Sequence, residues 1–325
     1  LLTRDEIIEK IGERPWVSPY KRLVAVADEK NHVIQLYEDH ARGTCFGGAG
    51  WETYHYFRTS ELVIDARRDG ARNVFTIKVG KGKLNLIPSF AGAGIEEAEI
   101  TEDEIRVTYA GLAGGGVAVA LARGLAPGPK GVIIHSMGGG RQLGRATLIF
   151  PKMLKITVGV DDTDSAGEGA TWGLCNEIGY EISEKMGGVE YLHHTIVQLY
   201  PKAPKKTTNC VSIALTFGVL PEVEEKFIEE IKRMFKDRTS SDETGMAIFR
   251  GIIIPEELKK YADEVRRRFV EIEETERVAS NCNVELHEIT GSGGLIGALA
   301  AIGYAERTDE AVIPGVPFEE DVGRD

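Results

Sequence analysis

The sequence predicts an α+β to α/β chain of two domains, a strand-rich α+β domain over 1–153 and a C-terminal mixed-sheet domain over 154–325. Three observations predict it. The 325 residues are two domains' worth at about 100–200 residues each. The first half reads as paired β-like runs separated by turn residues, whereas the second alternates strand-period and helix-period segments. Between them, at Lys152 to Lys155, a strand ending in Pro151 gives way to a new apolar run.

Taken in order, "RLVAVADEKNHVIQLYE" (22–38) places two β-like runs around an Asp-Glu-Lys-Asn turn, a hairpin signal. "ELVIDARRDGARNVFTIKVG" (61–80) repeats the idea with Asp69-Gly70 opening the connection. The stretch from 104 to 140 begins as a strand, turns through three glycines into an Ala-rich helix, and ends in "GVIIHS", a unit of βαβ size. "ATLIFP" closes the first domain as a strand.

The second domain reads as strand 155–160, helix 170–186, strands 193–201 and 210–218, and helix 221–236. An extended "GMAIFRG" (245–251) and helix 255–268 follow. The last segment, "VELHEITGSGGLIGALAAIG" (284–303), is a glycine-rich turn feeding an apolar helix. No period of 20–50 residues recurs, which excludes a solenoid.

Composition narrows the function classes. With 51 acidic against 39 basic residues the formal charge is −12, the wrong sign for a protein that holds duplex DNA by its phosphates. RNA contact through a local patch stays open but is not favoured. Cys45, Cys175, Cys210 and Cys282 are scattered without zinc-site spacing and read as reduced thiols of a cytoplasmic protein. No apolar run reaches the roughly 18–20 residues that span a bilayer, so no membrane partner is expected. The opening "LLTRDEIIEKIG" is too acidic for a targeting segment.

Three polar stretches of the second domain carry candidate chemistry. Asp161, Asp162 and Asp164 crowd the end of strand 155–160. Carboxylates this close repel unless a hard cation neutralises them, and Mg²⁺ is commonly held by one or two carboxylates plus substrate phosphates. The alternative is a solvated acidic turn capping the next helix. "PKAPKKTTNC" offers Lys205, Lys206, Thr207 and Asn209 to polyphosphate oxygens, or is a plain basic loop. Gly291, Gly293 and Gly294 precede an apolar helix, where backbone N–H groups cradle an anion or glycines simply permit close packing. Asp242 and Glu243 in "SSDETG" are further candidate ligands, and His193-His194 read as ordinary edge residues. Together the three stretches supply what phosphoryl transfer or nucleotide hydrolysis needs.

"VGVDDTDS" (158–165), "PKKTTN" (204–209), "DETGMAIF" (242–249) and "GLIGALAAIG" (294–303) resemble, in the same order, motifs of the ATP-using kinase domain of archaeal tRNA-isoleucine agmatidine synthetases. The resemblance implies a kinase-like α/β fold over 155–325 that holds ATP and Mg²⁺. It assigns metal ligation to Asp161, Asp162 and Asp164, phosphate contact to Lys206 and Thr207, and a phosphoacceptor counterpart to Thr171, where "EGATWG" stands in place of the family's Cys-Thr-Thr run. A domain of this type ending a chain of this length also resembles the methanogenesis marker 11 family. The implied function is ATP- and Mg²⁺-dependent phosphotransfer or substrate activation on an unknown small-molecule or protein acceptor, associated with methanogenic enzyme machinery. A nucleotide-responsive, non-catalytic assembly factor is the alternative, and a tRNA-modifying enzyme the third reading.

Overall fold

A computed structural model describes residues 1–12, 18–165, 167–204, 206 and 209–317, in two compact units, Leu1–Leu154 and Lys155–Asp325. Both are mixed α and β. None of the helices among the described residues is long and apolar enough to cross a membrane.

The first unit opens with α1 (Arg4–Ile11), started by a capping box in which Thr3 Oγ1 accepts from the Glu6 N–H while the Glu6 carboxylate accepts from the Thr3 N–H. β1 (Tyr20–Asp28) and β2 (Val33–His40) form the expected hairpin; Asp28 Oδ1 accepts from the Asn31 N–H at 3.0 Å and so shapes the turn. α2 (Phe46–Thr59) follows, then the second expected hairpin, β3 (Val63–Asp69) with β4 (Arg72–Lys78), in which Gly70 adopts φ 64°. These strands form one antiparallel row in the order β1-β2-β4-β3.

A five-stranded sheet completes the unit: β5 (Gly80–Lys81), β6 (Ala93–Ile100), β7 (Glu104–Gly111), β8 (Gly131–Ser136) and β9 (Gly144–Pro151), in the order β5-β6-β7-β9-β8, with α3 (Gly115–Gly124) between β7 and β8. The βαβ-sized unit read from sequence is present in modified form. β7 and β8 each pair antiparallel with β9, so they run parallel to each other with β9 inserted between them. The core of the unit includes Leu23, Leu36, Tyr56, Phe75, Tyr109 and Phe150.

The second unit carries β10 (Met153–Asp161), α4 (Thr171–Lys185), β11 (Val189–Gln198), β12 (Val211–Val219), α5 (Glu224–Arg238), β13 (Gly245–Arg250), α6 (Glu256–Val265), α7 (Ile272–Asn281), β14 (Glu285–Glu288), α8 (Leu295–Tyr304) and α9 (Thr308–Ala311). Its strands run in the order β11-β12-β10-β13-β14. Consecutive residues of β10, β12 and β13 are buried, so helices cover both faces of the sheet, as an unbroken apolar run such as "CVSIALTFG" requires.

Glycine decides how α8 meets the sheet. A Cβ on Gly159 of β10 would lie 1.9 Å from the Ala298 carbonyl oxygen, and one on Gly245 of β13 would lie 2.3 Å from the Leu295 nitrogen. The first turns of α8 therefore rest backbone to backbone on the ends of β10 and β13.

Candidate nucleotide site at the end of β10

Asp161 is the last residue of β10, with its side chain against the first turn of α8: a Cβ on Gly297 would come within 1.9 Å of Asp161 Oδ2. Burial holds the Asp161 carboxyl well above the usual carboxylate range, and the negative charges of Asp162 and Asp164 push it further in that direction. The hydrogen bond from the Asp162 N–H to Oδ1, 2.9 Å, offsets only part of this.

Asp162 turns the chain off the strand in a left-handed conformation, φ 58°, that costs a non-glycine residue of order 1 kcal/mol. The segment 239–244 holds it there. Ser241 Oγ donates to Asp162 Oδ1 at 3.1 Å and Thr244 Oγ1 donates to the Asp162 carbonyl at 2.7 Å. The Thr163 carbonyl accepts from the Ser240 N–H and from Thr239 Oγ1. Small hydroxyl residues of the "TSSDET" run thus brace the acidic turn.

Asp164 is braced from the other side. Thr171, the first residue of α4, donates from Oγ1 to Asp164 Oδ1 at 3.0 Å and accepts from Thr163 Oγ1 at 3.1 Å. The Thr171 side chain is buried, and it is not part of the cavity wall described below. The three aspartates do not converge. Among the described residues, the ligating side chains brought within 4.8 Å of one another are Glu38, His40 and Glu52 in the first unit, not Asp161, Asp162 and Asp164.

A cavity of about 230 Å³ opens beside the acidic turn. Asp161, Asp162, Asp164, Lys206, Asn209 and Gly293 reach it, and Leu199, Val211, Val265 and Ile296 form its apolar side. Sequence positions more than 130 residues apart thus meet in one place, because β10 and α8 are packed end against end. The Lys206 ammonium donates to the Pro201 carbonyl across its own loop. Lys205 and Thr207 lie outside the described residues.

The glycine turn differs from an open anion cradle. The Gly293 N–H donates to Glu243 Oε2 at 2.9 Å and the Gly294 N–H donates to the Glu243 carbonyl at 2.8 Å. Gly291 packs so closely that a Cβ there would lie 2.4 Å from the Asp242 carbonyl. Glu243, read from sequence as a candidate ligand, here serves as the anion of that turn. His193 and His194 contact the Ala305 carbonyl and the Tyr191 hydroxyl, away from the cavity.

Sequence reading missed several wall residues: Tyr200, Arg268, Phe269 and Val270. Arg268 looks like one more charge on a solvated helix, and it is indeed paired with Glu264 and Glu274. The available signal was Phe269, a large apolar side chain left 47% exposed directly after four residues of which three are arginines.

Residues 157–221 match the family described as the TiaS TCKD domain. The curated relatives include the tRNA 2-agmatinylcytidine synthetase TiaS of Pyrococcus horikoshii, 30% identical over 45% of this chain and 35% of its own length, and the TiaS of Thermococcus sibiricus, 29% identical over 47% and 36%. A crystal structure of TiaS in complex with its tRNA and ATP aligns over 46% of this chain and 36% of its own, at 23% identity and TM-score 0.41. This chain therefore spans about a third of the length of the synthetases it matches. A TiaS-like segment in the second unit is the class these matches define. The whole chain belongs to the family of MJ0921, an uncharacterized protein of Methanocaldococcus jannaschii, which is 46% identical over 88% of this chain and 94% of its own length.

Proposed function

We propose that the second unit, 154–325, binds ATP with Mg²⁺ and uses it to transfer a phosphoryl group to, or to activate, an acceptor chosen by the first unit, 1–153. The observation that carries this reading is Asp161, its carboxyl raised by burial, at a cavity that Asp162, Asp164, Lys206, Asn209 and Arg268 also line, together with Tyr200 and Cys210. Among the described residues no cation offsets the burial of Asp161, and the three aspartates offer carboxylate oxygens, which suit a hard divalent ion. Because the three carboxylates do not gather within 4.8 Å of one another, one or two of them would hold such an ion. Bound there, Mg²⁺ supplies charge neutralisation on the phosphates.

The chain's own residues do the rest. Lys206 and Asn209 offer donors to phosphate oxygens at the rim, together with Lys205 and Thr207 as their sequence suggests, and the apolar wall of Leu199, Val265 and Ile296 offers a dry face to a nucleobase. Gly293 and Gly294, tied to Glu243, shape the rim beside Asp161, with Gly291 packed behind them. Thr171 holds the Asp164 carboxylate in place. A phosphoacceptor role for Thr171 would require its buried hydroxyl to leave Asp164 and Thr163.

An association with methanogenic metabolism has the organism of the full-length relative in its favour. RNA as acceptor is the second reading, favoured by the 30% identity to a tRNA-modifying synthetase over 45% of the chain. ³¹P NMR of the purified protein with ATP and Mg²⁺, supplemented first with small-molecule and then with RNA fractions of a cell extract, separates the readings. A new phosphorus species that forms only with one fraction names the acceptor class. Binding of ATP without any new species in either fraction overturns catalysis and leaves a nucleotide-responsive factor.

A further inference from the structure

The first unit contains a cluster that the nucleotide site does not use. His40, at the end of β2, is buried to 2% exposure, and its two ring nitrogens face different surroundings. Nε2 lies 3.2 Å from Glu52 Oε2. Glu52 also accepts from the Tyr20 hydroxyl and from Asn73 Nδ2, the latter at 3.0 Å, and lies 3.4 Å from the Arg123 guanidinium. Burial works against its charge, but Arg123 and the hydrogen bonds from His40 and Tyr20 prevail and hold Glu52 ionised, at about 2. With Nε2–H donated to the ionised Glu52, a neutral His40 carries its lone pair on Nδ1; Asn73 Nδ2 also lies 3.2 Å from Nε2, and although burial opposes the charge, Glu52 and Cys45 raise the imidazole above its usual range.

Nδ1 is buried and has no hydrogen-bond partner. It points toward Cys45. A single point, the position of a Cβ on Gly48, lies 2.7 Å from Cys45 Sγ and 3.6 Å from His40 Nδ1, so glycine at 48 is what allows the thiol and the imidazole edge to flank the same space. Cys45 is the residue immediately before α2, a helix of 14 residues, and so stands beside the N–H groups of its first turn, which have no partner within the helix. The thiol is half-buried, not sealed. A Cβ on Gly47 would meet nothing within 4 Å, and Phe46 is 52% exposed beside it, an apolar surface next to the open side.

The other charges around His40 are consistent with this order. Glu38 is bound bidentately by Arg123, at 2.6 and 2.9 Å, so the guanidinium already supplies the positive charge that a metal would bring to Glu38, His40 and Glu52. The group reads as a nucleophile, a base and an orienting carboxylate rather than as a metal centre.

We propose that Cys45 is a catalytic nucleophile activated by His40, with Glu52 and Asn73 as positioning residues, and that it accepts an acyl group from an activated carboxylic substrate. In the step, His40 Nδ1 takes the thiol proton and Sγ bonds to the carbonyl carbon. The bond from that carbon to the leaving group then breaks, and the leaving group departs with the proton from Nδ1. The product is an S-acyl Cys45 and a neutral His40; nothing is oxidised or reduced. Water or an amine acceptor regenerates the thiol by the reverse proton path.

The test uses the full chain and 4-nitrophenyl acetate as probe, with iodoacetamide alkylation of each cysteine followed by peptide mass spectrometry across pH. One equivalent of nitrophenolate should be released in a burst, with the acetyl group on the Cys45 peptide, and Cys45→Ser should abolish the burst. Cys45 should also alkylate at least about 10-fold faster than Cys210 below neutral pH, and His40→Gln should remove that advantage while the thermal unfolding transition persists. Acetylation elsewhere, no burst, or a Cys45 alkylation profile like that of an ordinary thiol in the unaltered protein overturns the proposal. The last measurement needs no variant, so a His40→Gln chain that fails to fold does not protect the idea.

Discussion

Asp161 is where stability and proposed function pull in opposite directions. Its carboxyl titrates higher in the folded chain than in the unfolded one because burial penalises the charge. A group raised in this way contributes its full stability below the unfolded carboxyl range and loses it as pH climbs through the folded value. Asp161→Asn should therefore melt close to the parent at about pH 3.5, below the unfolded carboxyl range, and above it at about pH 8, in metal-free buffer, while losing ATP–Mg²⁺ binding. A melting difference that does not grow with pH would show that Asp161 is not a strained acid. Thr171 makes the second residue-scale prediction. Thr171→Ala leaves the buried Thr163 hydroxyl and Asp164 without their shared partner, and should cost about 1–2 kcal/mol in urea unfolding. Thr171→Ser keeps the hydroxyl and should recover most of that stability.

At the scale of elements, the site depends on how closely α8 can approach the sheet. Gly159→Ala sets a methyl 1.9 Å from a backbone carbonyl, with a rigid strand on one side and a rigid helix on the other. The expected cost is about 3 kcal/mol, the upper end for overpacking. Gly297→Ala meets the Asp161 carboxylate, which can rotate, so its stability cost should be smaller, about 1–2 kcal/mol. Its effect on ATP affinity should be the larger of the two, because it moves the acid itself. Equilibrium unfolding and nucleotide titration of both variants read out this reversal of rank. The same scale explains α2, which forms although it contains Gly47, Gly48 and Gly50. Burial of Ala49, Tyr56 and Thr59 against the sheets outweighs roughly 1 kcal/mol of lost helix propensity per glycine.

For the whole molecule, ligand linkage offers the broadest check. A ligand that binds only the folded chain at about 100 times its dissociation constant adds about 2.7 kcal/mol to stability. ATP with Mg²⁺ should raise the melting temperature, and either chelation of the metal or the Asp161→Asn/Asp162→Asn double change should cancel the rise. An equal rise with ATP alone would mean that the acidic turn binds no metal.

Much was determined by the sequence alone. Period and turn chemistry predicted both hairpins of the first unit and β10, α4, β12 and α8 of the second, because each is an apolar pattern bounded by local signals. The acidic turn and the glycine turn were visible because crowded carboxylates and paired glycines are locally improbable. What only the tertiary structure decided is what each group faces. Glu243 was a candidate ligand until it proved to occupy the glycine turn, and Arg268 and Phe269 had no local mark of a cavity wall. Glu38, His40, Cys45, Glu52 and Arg123 are ordinary residues in sequence, up to 85 positions apart, with no shared spacing. Side-chain chemistry is fixed by the residue, but protonation, partner and exposure depend on neighbours that come together only when strands and helices pack.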